Sequence, residues 1–333
     1  MKQTISLLIP IFLTISFFSG CGGNGDATSK DESQSSITIA YSDWPGWVAW
    51  EIGIQKGFFK EAGVDVKFEW LDYVASMDAF ASNKVDAVCM TNGDGLVTGA
   101  TGKKGIGILL NDFSNGNDMV VASADIKSIA DLKGKKIGVE TGFVSHLLLL
   151  KALESAGLSE SDVEIINVPT DQTPQALETG DVHAISAWQP HSGLALKKIS
   201  GSKALFTSAD IPGLIYDVLF VSPESLTKNR SDWEKVVQVW GRIVEFMNDP
   251  ENKDEMLSIL SARVQITPDE YSPLLAGTRI LNLKENAERF SKGDGFTTVY
   301  GSSQIVNQFN VDNKVYETAE EVNTYFDSSL LGN

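Results

Sequence analysis

From residue 37 to about residue 188 the chain alternates short β-favouring runs with helical patterns, and this alternation limits the fold more than any other feature. Strand, crossover helix, strand is how parallel pairing is connected, since parallel neighbours need a crossover of about a dozen residues or more. The first unit, residues 37–70, shows the parts. Ile37, Thr38, Ile39, Ala40 and Tyr41 read as a strand. Ser42-Asp43-Trp44-Pro45-Gly46 breaks it with a Pro-Gly turn, and Trp47, Trp50, Ile54 and Phe58 then fall at helical spacing. Gly63 closes that helix, and residues 64–70 read as a second strand.

The rhythm repeats. Residues 77–90 run from a helix into a strand at 86–90, which leaves through the polar loop Thr91-Asn92-Gly93-Asp94-Gly95. A short helix at 96–101, a strand at 106–110, a polar turn at 111–118 and a strand at 119–122 follow. A second series starts with a charged turn feeding a strand that ends at Glu140. It continues with a helix at 143–156, a strand at 163–168, a helix from 174 and a strand ending at Ala187-Trp188-Gln189-Pro190. Segments 37–63 and 77–90 thus match segments 136–157 and 174–187 in kind, which predicts two α/β lobes, each a mostly parallel sheet flanked by helices. After one more strand at 214–221 the rest is largely helical, at 232–247, 250–261 and 268–277.

Lys2 precedes an apolar run at 5–18, followed by Ser19-Gly20-Cys21. A charged start, a short apolar core and small residues describe a secretory signal peptide, too short to span a bilayer as a helix. Phe18-Ser19-Gly20-Cys21 resembles a bacterial lipobox, and residues 22–36 (GGNGDATSKDESQSS) read as a tether. The expectation is a signal peptide at 1–20, lipidation at Cys21, a flexible tether at 21–36 and an extracytoplasmic, membrane-anchored protein, two acyl chains giving the anchorage that one cannot. The alternative is an ordinary signal peptide with an incidental cysteine. Formal net charge is −17, which argues against nucleic acid or anionic headgroups as partners and slightly favours cationic ligands. With Cys21 processed, Cys89 is left alone in an apolar strand, so no intramolecular disulfide is expected and Cys89 reads as a small buried hydrophobe.

Three segments, IQKGFFKEAGVDV (54–66), DLKGKKIGV (131–139) and GDVHAISAWQP (180–190), resemble the substrate-binding proteins of ABC importers in the nitrate/sulfonate/taurine-type class. The resemblance covers nearly all of residues 37–326. It implies a type II-like periplasmic-binding-protein fold: lobe one at 37–118 plus 217–333, lobe two at 119–216, and crossovers near Asn117-Asp118 and Tyr216-Asp217. It also implies a ligand cleft between the lobes, permease and ATPase subunits as partners, a monomer, and neither catalysis nor a cofactor. Within the class, YSDWPGWVAWEI (41–52) and CMTNGDG (89–95) look most like a branch beside urea-carboxylase-type enzymes, which implies uptake of a nitrogen-rich compound.

Anion binders of this class meet their ligand with helix N-terminal amides, hydroxyls and Arg. The strand-end loops here instead hold Asp43, Asp94, Glu140 and Asp217, without Arg, beside Trp44, Trp47 and Trp188. Carboxylates with indole faces suit a desolvated cation, and guanidinium is the first expectation; urea, taurine, an alkanesulfonate or another small anion or zwitterion are the alternatives. Ser42, Asn92 and His146 complete the candidate ligand set. Each has a structural alternative: helix caps for Asp43 and Asp94, core packing for Trp47, a turn for Ser42 and Asn92, a lysine of the 133–136 turn as partner for Glu140, and a hinge brace for Asp217. Trp50 reads as core. His146, His183 and His191 form no metal motif, and no Walker loop or nucleophile elbow occurs. Thiamin-pyrimidine synthases resemble the same fold but need a Cys-rich iron site; a sensor or adhesion component is the third possibility.

Overall fold

The computed structural model describes residues 36–332; the leader, Cys21 and all but the last residue of the tether lie outside them. Eleven strands build two sheets. β1 (Ile37–Tyr41), β2 (Val66–Trp70), β3 (Ala87–Thr91), β4 (Ile106–Ser114), β10 (Tyr216–Val221) and β11 (Thr278–Ile280) form one, in the order β11-β4-β10-β3-β1-β2. β5 (Met119–Ala122), β6 (Lys136–Val139), β7 (Glu164–Asn167), β8 (Ala184–Ala187) and β9 (Lys203–Thr207) form the other, in the order β7-β6-β8-β5-β9. The sheets are mixed. β1 and β6 pair in parallel with both neighbours, as crossover helices require, whereas β10 runs antiparallel between β3 and β4 and β5 runs antiparallel between β8 and β9. The strands that carry the chain from one sheet to the other are the reversed ones.

The chain leaves the first sheet after β4 and returns before β10, and the two connections lie side by side. Ser114 Oγ and Ser208 Oγ are 2.6 Å apart, Gly116 N donates to Ser208 Oγ, and Ser208 N donates to Asp118 O. β10 is buried along its whole length, the expected state of a strand with paired edges and covered faces. Its one acid, Asp217, is buried with it.

Three sequence expectations shift. The stripe from Trp47 to Phe58 is not one helix but three short ones, Pro45–Val48, Trp50–Gln55 and Phe58–Glu61, because Gly57 takes φ +72° between the last two. Ile54 is consequently 38% exposed, while Trp50 is fully buried against Trp240 of the helix Arg230–Asn248, with ring centroids 4.7 Å apart. The polar turn expected at 111–118 is strand as far as Ser114, since β10 and β11 satisfy its backbone from both sides. The loop 91–95 is the first turn of a helix, Asn92–Ala100, capped by Thr91 Oγ1, which accepts from Asp94 N. The carboxy-terminal helices, including Pro268–Ala276 and Val299–Asp312, pack their apolar sides onto the first sheet, as a largely helical tail must.

Candidate binding site

A small space, with room of only about 10 Å³, lies between the strand ends, lined by Trp44, Trp47, Tyr73, Thr91, Asp118, Val144, Trp188, Ile215 and Asp217. It lies where ligands gather in open α/β sheets. Its position follows from the strand ends: Trp44 and Trp47 follow β1, Thr91 closes β3, Asp118 follows β4, Trp188 follows β8 and Asp217 opens β10.

The aromatic wall is tightly fixed. Trp47 stacks on Tyr73 (centroids 5.3 Å, 27° between planes), and Tyr73 meets Trp188 edge-on at 5.2 Å. Tyr73 is locked in turn: its hydroxyl donates to Asp94 Oδ2 at 2.5 Å and accepts from Thr91 N at 3.1 Å. Trp44 Nε1 donates to Asp112 Oδ1 at 3.1 Å. Gly46 is required here, because a Cβ would overlap Asp112 Oδ2.

The other wall is acidic. Asp112 and Asp217 face each other in the β4–β10 register, and Asp118 adds its charge near Asp217. Asp112, Asp118 and Asp217 are 0%, 3% and 2% exposed. Burial pushes Asp112 and Asp118 up to about 7 and Asp94 up to about 6, and holds Asp217 well above the usual carboxylate range. Among the described residues, no Lys, Arg or His lines this space. Asp118 Oδ2 and Asp217 Oδ2 accept from no protein donor, and the indole N–H groups of Trp47 and Trp188 find no acceptor. Buried polar atoms are normally paired, and these four unpartnered ones surround one small space.

Of the sequence candidates, Trp44, Trp47, Trp188 and Asp217 line this space. Asp94 reaches it only through Tyr73; it lies with His146 around a second small space, of about 10 Å³, between the helices Asn92–Ala100, Val144–Ser155 and Val299–Asp312. His146 Nδ1 accepts from Gly142 N, and burial lowers its pKa. Asn92 spends its amide on structure, donating to Ser302 and Ser303 and accepting from Tyr216 N. Ser42 is buried with its hydroxyl unpartnered but does not line the cavity. Asp43 is paired with His191 at 2.9 Å. Glu140 accepts from Thr170 Oγ1 at 3.1 Å, while Lys133 and Lys136 pair with Asp162 and Glu164. The sequence assigns no ligand role to Asp112, Asp118, Tyr73 or Thr91; the signals for three of them are the polar loop 91–95, which starts at Thr91, and the density of polar residues in 111–118, which reads equally well as a turn.

Known proteins place this geometry in context. A putative aliphatic sulfonates-binding protein of Bacillus subtilis (strain 168) is 32% identical over 211 residues, a match that spans 62% of this chain and 62% of that relative. The sequence match thus covers under two thirds of the relative's length. Two solved structures share the fold at low identity. The ligand-binding component of an ABC-type import system from Staphylococcus aureus superposes with TM-score 0.73 at 14% identity, over 90% of this chain and 98% of that one. The alkanesulfonate-binding protein of Xanthomonas axonopodis pv. citri bound to MOPS gives 0.71 at 15% identity, over 88% and 98%. The shared fold is that of the periplasmic binding proteins. Residues 48–253 match the NMT1/THI5-like family, and the chain belongs to it.

Proposed function

We propose that this protein is the solute-binding component of an ABC-type importer and that it captures a small cationic or nitrogen-rich solute, with guanidinium the first choice, between its two sheets. The observation that carries this reading is the acidic wall: Asp118 and Asp217 are buried beside Asp112, with unpartnered oxygens and no basic side chain in the lining. A buried carboxylate is costly unless it is paired or protonated, and a planar cation with N–H donors on its rim supplies the missing partners. Trp47, Trp188 and Tyr73 give it aromatic faces, each worth roughly 0.5–2 kcal/mol for a desolvated cation.

The names of the relatives point to sulfonates. A sulfonate here would face the carboxyl groups of Asp118 and Asp217, which repel it wherever they are ionised, with only the indole N–H groups of Trp47 and Trp188 as donors, so this reading keeps the family's fold and changes the ligand chemistry. One observation favours a second reading. The free indole N–H groups of Trp47 and Trp188 suit a ligand with an acceptor, which urea or a zwitterion such as taurine has and guanidinium lacks. Calorimetric titration with guanidinium, methylguanidinium, urea, taurine and methanesulfonate separates the cases. Tight binding of methanesulfonate without any binding of guanidinium, an amine or urea would refute the cationic and nitrogen-rich readings together.

The role is binding rather than catalysis: the thiamin-pyrimidine-synthase alternative needs a Cys-rich iron site, and Cys89 is buried inside β3. Delivery to a permease and ATPase implies a monomer whose two lobes, 37–118 plus 217–333 and 119–216, close on the solute. Solution scattering with and without bound solute tests closure; an unchanged radius of gyration speaks against it. Lipidation at Cys21 would hold the protein at the extracytoplasmic membrane face. Cys21→Ala should free it from membranes, and a wild-type chain without acyl mass would count against the anchor.

A further inference from the structure

Three indoles line the small space, and the partners of their N–H groups divide them. Those of Trp47 and Trp188 find no acceptor, whereas Trp44 Nε1 donates to Asp112 Oδ1 at 3.1 Å and lies 3.3 Å from Oδ2. Asp112 is fully buried in β4, between β10 and β11, and does not itself line the space. It reaches the site through Trp44. The loop carrying that indole is held at two further points. Tyr271 of the helix Pro268–Ala276 donates to Pro45 O at 3.1 Å, and Gly46 packs against Asp112 where a Cβ would overlap Oδ2. Trp47 has Tyr73 stacked on one face, while Trp44 meets Trp47 edge-on, with centroids 6.4 Å apart.

A carboxylate that accepts from an indole N–H does two things. It fixes the plane of the ring, and it pushes electron density onto that ring, since hydrogen-bonded groups polarise one another where water is excluded. A richer π face attracts a cation more strongly and affects a neutral guest far less. We propose that Asp112 is a positioning residue that makes Trp44 the cation-selective face of the site, acting through the indole N–H rather than by touching the solute. This rests on the cationic reading above and adds to it one aromatic face, Trp44, and one residue outside the lining, Asp112. Asp118 and Asp217 then serve the rim of the solute, and Trp44 its plane.

Calorimetric titration with guanidinium chloride and, separately, urea tests this at about pH 8, above the value of about 7 to which burial raises Asp112. Asp112→Asn keeps an oxygen for the indole N–H and removes the charge. It should weaken guanidinium by about threefold to tenfold, a part of what one aromatic face gives a desolvated cation, and change urea, where it binds, by less than about twofold. Trp44→Phe removes the N–H, so in that background Asp112→Asn should weaken guanidinium by no more than about twofold. Equal losses for guanidinium and urea overturn the proposal and leave Asp112 a packing residue. A guanidinium loss undiminished in the Trp44→Phe background overturns the route through the indole. Wild-type protein that binds no guanidinium, with or without binding of urea or methanesulfonate, removes the cationic reading and the charge selectivity with it. A measurement on the wild type decides the matter where the variants fold poorly. Isotope-labelled tryptophan gives NMR signals from the seven indole N–H groups of the chain. Ionisation of Asp112 strengthens its hydrogen bond from Trp44, so one indole proton should move downfield between about pH 5.5 and 8 and move again on adding guanidinium chloride. Indole protons that all ignore pH over this range overturn the assignment of Asp112 as the carboxylate partner of Trp44.

Discussion

Asp43 Oδ2 lies 2.9 Å from His191 Nε2, a polar contact joining the loop after β1 in the first sheet to the helix His191–Lys198 after β8 in the second. The pair sits outside the cavity lining, with Asp43 and His191 side chains 26% and 16% exposed. Glu140 adds a further negative charge near the imidazole. The contact links the two sheets outside that lining.

A partly exposed carboxylate–imidazole contact is worth at most the roughly 0.2–1 kcal/mol of an exposed ion pair. Asp43→Asn and His191→Gln should therefore each weaken solute affinity by no more than about fivefold. The double variant should be little worse than either, because both remove the same contact. Calorimetry on the four proteins of the cycle checks this. A loss of a hundredfold from Asp43→Asn alone would instead place its carboxylate on the ligand.

Asp118→Asn should behave differently. Its Oδ2 is buried, faces the cavity and has no protein donor. A hydrogen bond to a charged group is worth roughly 1.5–3 kcal/mol, so the substitution should weaken a cationic solute by about tenfold to more than a hundredfold. Urea should lose much less. Equal losses for both ligands would argue that the carboxylate charge is not what is recognised.

These two acids also show where the sequence was readable. Asp43, Trp44 and Trp188 stand out because each interrupts an apolar pattern at the end of a strand, and strand ends in α/β sheets face the cleft. The two halves and the order of the strands are visible for the same reason: periodicity survives wherever one face is buried and the other wet. Asp112 was invisible because it breaks that rule. Asn111-Asp112-Phe113-Ser114 puts polar side chains into a strand paired on both sides, a local conflict that patterning assigns to a turn. Such conflicts collect at functional sites. Asn92 errs the other way: it looks like a loop ligand, yet its amide ties Ser302, Ser303 and Tyr216 together, contacts more than a hundred residues distant in sequence.

Gly46 provides a test of how closely the aromatic and acidic walls are fitted. Its Cα sits against Asp112, and an added Cβ would overlap Asp112 Oδ2 and crowd Trp44 Nε1 at 2.9 Å. Gly46→Ala should therefore break the Trp44–Asp112 hydrogen bond and cost roughly 1–3 kcal/mol, the range for overpacking. Denaturant unfolding gives the stability change, and solute affinity should fall with it. Wild-type stability together with unchanged affinity would mean that the loop 42–46 moves freely enough to absorb a methyl group.

The buried acids also set how the solute-free protein responds to pH. Asp94, Asp112 and Asp118 titrate at about 6, 7 and 7, all above an unfolded carboxyl near 3.9, because burial disfavours their charged forms. Between about pH 4 and 7 the native state thus holds protons that the unfolded chain has released. Their contribution to stability is fully present below pH 4 and is lost as pH rises through 6 to 7. Asp162 and Glu270, partly exposed at the surface, are shifted the other way to about 2 by hydrogen bonds, from Ser159 in the first case and Lys197 in the second. Their contribution is lost only in strong acid, so it does not mask the effect near neutrality. The Tm of the solute-free protein should fall by several degrees between pH 5 and pH 8, and Asp118→Asn should flatten that slope. A bound cation, which pairs with the ionised acids, should flatten it too. Thermal unfolding across that range decides the point: a Tm that is level or rises toward pH 8 without solute would mean that these carboxylates are ionised and compensated in the native protein.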